Sequence, residues 1–123
     1  MKRYAITLTA GLLLSMAAWA GGTHDHTPKN GGVVVETKDW DVELVVKPDV
    51  ARIYLRGHGQ APDMGKAIGK LTLLTGKEKQ DVELKPMGDK LEASGSFKAA
   101  PGTKAVVVMT VNGKPVTARF VLK

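Results

Sequence analysis

Cysteine is absent from the 123 residues. No disulfide, zinc–thiolate site, iron–sulfur cluster or thiol nucleophile can therefore be built. Aromatic residues are scarce, with two each of Trp, Tyr and Phe. No basic block with interleaved aromatics occurs, so the stacking platform and charged stripe of a nucleic-acid binder are both missing. Serine occurs only at positions 15, 94 and 96. Ser15 lies in the N-terminal apolar stretch, and Ser94 and Ser96 fall on the wet side of an expected strand. None stands in a nucleophile-elbow pattern or close in sequence to a histidine. The glycines of "GHGQAPDMG" are not followed by a helical pattern, which a phosphate-cradling loop requires. These absences leave no nucleophile–base pairing, and the sequence reads as that of a non-enzyme with no organic cofactor.

What is present begins with a leader-like stretch. Lys2 and Arg3 precede a short apolar run that ends Ala18-Trp19-Ala20. Small residues at the first and third positions before a cut after Ala20 match a secretory signal peptide over residues 1–20. The expectation is export to the periplasm through the Sec pathway, with no stable membrane insertion after cleavage. Loss of Lys2 and Arg3 would lower the net charge from +6 to +4, a mild and scattered surplus of the kind ordinary solubility uses.

After Gly32 the hydropathy alternates with period two. In "WDVELVVK", Trp40, Val42, Leu44 and Val46 share one face, and Asp41, Glu43 and Lys47 share the other. The second set reads as a solvated strand face, since carboxylates are rarely buried. "ARIYLR" places Ala51, Ile53 and Leu55 inward, and "KLEASGSF" places Leu91, Ala93, Gly95 and Phe97 inward. "KAVVVMTV" is apolar on both faces and reads as a central strand. Pro101-Gly102 suits a type II turn, and Asn112-Gly113 suits a type I′ hairpin. "GHGQAPDMGKA" is the longest expected loop. Seven or eight short antiparallel strands at this spacing predict an all-β domain over 32–123, an immunoglobulin-like Greek-key β-sandwich, with a small β-barrel as the alternative. A domain of about 90 residues can bury a core but has little margin without covalent staples.

Between leader and domain lies "GGTHDHTPKNGG", from Gly21 to Gly32. Residues 21–31 read as a flexible arm that carries two of the three histidines, His24 and His26, on either side of Asp25. Histidines separated by one residue project to the same side of an extended chain and can approach one ion. Neutral imidazole with oxygen donors suits Cu(II), Ni(II) or Zn(II). His58 is the third candidate, flanked by glycines in the long loop; Asp25, between the paired histidines, and Asp63 and Met64, near His58, are weaker donors. Met64 and Met87 fall in expected loops, open to solvent, whereas Met109 reads as core. Two readings of function follow. One is capture of a divalent transition metal. The other is a non-metal interaction or structural module, in which the histidine arm is only a linker.

Several segments carry a resemblance: "HDHTPKNGGVVVETKDWDVELVV", "IYLRGHGQAPDMGKAIGKLTLLTG", "VELKPMGDKLEASGSF" and "GTKAVVVMTVNGKPVTARF". Together they resemble small exported proteobacterial proteins and domains associated with heavy-metal efflux, including periplasmic adaptor subunits of copper/silver and cobalt/zinc/cadmium exporters. The resemblance covers nearly the whole chain after the leader. It implies a periplasmic β-sandwich that serves metal resistance as an efflux accessory, with an adaptor subunit as partner and His24, His26 and His58 as the residues of interest. This chain has Gly57 where the family pattern carries an aspartate before the middle histidine.

Overall fold

The computed structural model describes residues 26–123. The expected signal peptide over 1–20, together with His24 and Asp25, lies outside the described residues. Eight strands follow in order: β1 (Val33–Glu36), β2 (Trp40–Val46), β3 (Val50–Gly57), β4 (Ile68–Thr75), β5 (Glu78–Met87), β6 (Lys90–Ser94), β7 (Lys104–Val111) and β8 (Lys114–Val121). All pair antiparallel, in the spatial order β1-β2-β3-β6-β5-β4-β7-β8. The all-β class is as the alternation predicts. Three hairpin-linked strands, β4, β5 and β6, bring β6 back beside β3, which is a Greek-key arrangement.

The sheet turns a corner at β5. Residues 78–84 of that strand pair with β4, while Lys85, Pro86 and Met87 pair with β6. The two halves face each other across a single core, and β1 lies against β8, so the sheet rolls toward a barrel. Inward positions of every long strand supply that core, with Val42, Leu44, Ile53, Leu71, Leu91, Val107 and Phe120 among them. Burial of such side chains stabilises by about 1.5–3 kcal/mol each. Trp40 closes one end of the core, as its inward position predicts.

Turn chemistry sets the register. Asn112 and Gly113 both have positive φ, 51° and 77°, as a type I′ turn demands. Gly102 has φ 90°, and the Thr103 amide donates to the Ala100 carbonyl, so Pro101-Gly102 forms the type II turn.

Three sequence expectations are corrected. Strand β7 has both neighbours but only one buried face, since Val108 is half exposed while Val107 and Met109 are buried. Met64 is buried, because the loop after β3 forms a short 3₁₀ turn, Met64–Lys66, that drops this side chain into the core. The third correction concerns the outer face of β2. Asp41 and Glu43 are 4% and 2% exposed, not solvated. The chain's own residues 26–32 lie across that face and cover it.

Candidate functional site

The register of β1, β2 and β3 brings distant polar residues into rows on one outer face. Asp41 pairs with Glu36 on one side and Arg56 on the other, and Glu43 pairs with Val34 and Tyr54. Each row is a set of cross-strand neighbours close enough to interact.

Glu43 anchors the covering segment. Its carboxylate accepts from the amides of Lys29 (3.1 Å), Asn30 (2.8 Å) and Gly32 (2.9 Å) and from the Asn30 side chain (3.1 Å). Burial raises the Glu43 pKa, but these donors outweigh it and hold the carboxyl below its ordinary value. Gly32 has to be glycine, because a Cβ there would run into the Leu44 carbonyl. The second half of the arm is therefore tied to β2 by a side chain that alternation alone assigns to water.

Asp41 sits at the centre of the second row. His26 Nδ1 approaches Asp41 Oδ2 at 2.9 Å, and His58 Nε2 approaches Asp41 Oδ1 at 2.9 Å. Two of the histidines singled out in the sequence thus meet on opposite oxygens of one buried carboxylate. Arg56 lies 3.8 Å from Oδ2 and donates to the Thr27 carbonyl at 3.1 Å. Burial pushes the Asp41 pKa up, but hydrogen bonds from His58 and His26 and their charges outweigh it, so the carboxyl stays below its ordinary value.

Both ring nitrogens of His58 face acceptors. Nε2 meets the Asp41 carboxylate, and Nδ1 meets the Lys38 carbonyl oxygen at 3.2 Å. A neutral imidazole has one N–H and can satisfy only one of them. The arrangement calls for the imidazolium, and the bond to Asp41, against a smaller opposing effect of burial, raises the His58 pKa. As the imidazolium, His58 would present no lone pair to a metal.

His26 stands between two carboxylates: its Nδ1 meets Asp41 Oδ2, and its Nε2 lies 3.8 Å from Glu36 Oε1. In metal sites a carboxylate commonly takes one ring N–H of a histidine and so fixes which nitrogen can face an ion. His26, Glu36 and Asp41 each offer a donor atom, all within 4.8 Å of one another. Their chemistry is that of an N/O site for a divalent ion of intermediate softness.

Of the weaker candidates, Asp63 and Met64 stand outside the group formed by His26, Glu36 and Asp41, and Asp25 lies outside the described residues. Asp63 and Met64 line a cleft of about 530 Å³ that also reaches Asp41, Glu43, Tyr54 and Arg56. The Asp63 amide is held by Asn112 Oδ1 at 2.8 Å. Gly57 has a local reason to be glycine, because a Cβ there would collide with the Gln60 carbonyl. Sequence reasoning missed Glu36 and Asp41 as site residues. The available signal was their parity, which puts both on the side of the strand pair over which the arm must pass.

No family model and no curated protein matches the chain. A solved structure described as the crystal structure of a Br derivative of BhCBM56 is similar over 74% of this chain and 99% of that one, with a TM-score of 0.42 and 9% identity.

Proposed function

We propose that the protein binds a divalent transition metal through its N-terminal segment and acts as a periplasmic accessory to a metal-efflux system, with a periplasmic adaptor subunit as recipient. The observation that carries this reading is the convergence of His26 and His58 on Asp41, with Glu36 beside His26. The ion is Zn(II), Ni(II) or Cu(II), the set suited to imidazole and carboxylate donors in a chain without thiols. In this reading His26 Nε2 and Glu36 are the ligands within the described residues, and His24 and Asp25, adjacent in sequence, are the further donors. Asp41 orients His26, and His58 with Arg56 balances the buried charge of Asp41.

Calorimetric titration of the protein with each metal tests the proposal. Expected is binding tighter than about 100 µM, roughly −5.5 kcal/mol, that is lost in His26→Ala and weakened in Glu36→Gln. A second reading rests on the fully bonded ring of His58: the trio is a structural clasp for the arm. It is the correct one if no metal binds while His26→Ala and Asp41→Asn still lower the melting temperature.

A further inference from the structure

Away from the histidines, β4, β7 and β8 present an outer face of unusual composition. Their outward positions are aligned by the register into rows, such as Leu74–Lys104–Val121 and Thr72–Val106–Arg119. Within β4, β7 and β8 the charged members of these rows are Lys70, Lys104 and Arg119, and the carboxylates Glu83 and Asp81 enter only at the β5 edge, opposite Lys70 and Thr72. Lys70 is drawn toward Asp81 of neighbouring β5, at 3.7 Å. Lys104 and Arg119 make no ion pair among the described residues.

Between these cations the face is aliphatic. Ile68, Val108 and Val121 are 64%, 50% and 56% exposed, and Leu74 is also exposed. A shallow apolar depression of about 310 Å³ lies among Leu74, Val106 and Val121, with Lys104 and Arg119 at its edges. Exposed aliphatics on a paired sheet face contribute little to the core, and apolar surface of this kind marks a candidate interaction site.

We propose that this face lies on an anionic lipid surface, with Lys104 and Arg119 at the headgroup phosphates and Leu74, Val108 and Val121 turned toward the interface. Charge complementarity selects this occupant. A second copy of the chain would set like charges against each other on a self-complementary patch. A specific protein partner is characteristically held by Trp, Tyr and Arg anchors in fitted pockets, and this face has neither Trp nor Tyr. Point charges among aliphatic side chains suit a fluid, laterally adaptable anionic surface.

Flotation with vesicles of phosphatidylglycerol and phosphatidylcholine tests the proposal. The chain from Gly21 is the suitable sample, since it keeps every described residue and omits an apolar stretch that would itself enter a bilayer. Expected is partition onto the mixed vesicles but not onto phosphatidylcholine alone, and release as salt is raised to about 0.5 M. One such cation is worth roughly fivefold in partition, so Lys104→Gln/Arg119→Gln should lose roughly thirtyfold. Val108→Ser/Val121→Ser should also weaken binding. Lys47→Gln/Lys90→Gln removes the same total charge elsewhere and should lose far less. Equal losses in the two charge variants would overturn the proposal in favour of net charge alone. Absence of binding to the mixed vesicles would overturn it too, and if sedimentation then shows self-association sensitive to Val108→Ser/Val121→Ser, the face belongs to a second copy.

Discussion

His58 and Asp41 meet at 2.9 Å between Nε2 and Oδ1, while the other nitrogen of the same ring lies 3.2 Å from the Lys38 carbonyl. The pair links the end of β3 to the buried outer face of β2, and it works as drawn only with a proton on each nitrogen. Its consequences for stability have a sign.

The His58 pKa is raised above its ordinary 6.5 in the folded protein. The stability it contributes is fully present below that value and is lost as pH rises through the folded pKa. Asp41 and Glu43 are lowered from 3.8 and 4.5. Their contributions are present above those values and are lost as pH falls through the folded ones. The melting temperature should therefore be highest between about pH 5 and 6.5 and decline on both sides. Thermal melts across pH 3–9 check this, and His58→Ala should flatten the alkaline limb and shrink the acid limb by the share of Asp41, leaving the share of Glu43 in place.

Glu43 holds four donors with one carboxylate. Truncation strands the amides of Lys29, Asn30 and Gly32 against β2. Glu43→Ala should cost about 3 kcal/mol of unfolding free energy, the scale of losing charged hydrogen bonds from a buried acceptor. Urea denaturation measures the cost. Faster amide exchange confined to residues 29–32 would show that the arm is released first.

Asn112 does two jobs in its turn. Its φ of 51° is needed by the β7–β8 hairpin, and its side chain donates to the Ala61 carbonyl and accepts from the Asp63 amide. Asn112→Gly keeps the backbone conformation and loses the two bonds, about 2 kcal/mol. Asn112→Ala adds the left-handed strain, about 1 kcal/mol more. Denaturant melts of the two variants separate backbone strain from loop anchoring.

In the metal titration, Asp63→Asn should bind as the parent does, because Asp63 stands outside the group formed by His26, Glu36 and Asp41. His58→Ala should weaken binding about tenfold without abolishing it, as expected of a residue that orients a ligand through Asp41. An affinity unchanged in His58→Ala would show that Asp41 holds His26 without help from the imidazolium.

Alternation by itself determined the all-β class and the inward sets Ala51–Ile53–Leu55 and Leu91–Ala93, and residue preferences determined the turns at Pro101-Gly102 and Asn112-Gly113. These are local matters: side-chain period two and the φ preferences of glycine, proline and asparagine act within a few residues. The three histidines were also visible as candidates by type and neighbourhood. The tertiary structure decided what covers the outer face of β2, and that depends on a segment ten or more positions away folding back over it. A period-two pattern distinguishes two faces of a strand but does not say whether the second face meets water or chain. Asp41 and Glu43, on the side that reads as wet, became buried anchors for that reason. Likewise, Glu36 entered the site through strand register, and His58 was brought between the Lys38 carbonyl and Asp41, neither of which is adjacent to it in sequence.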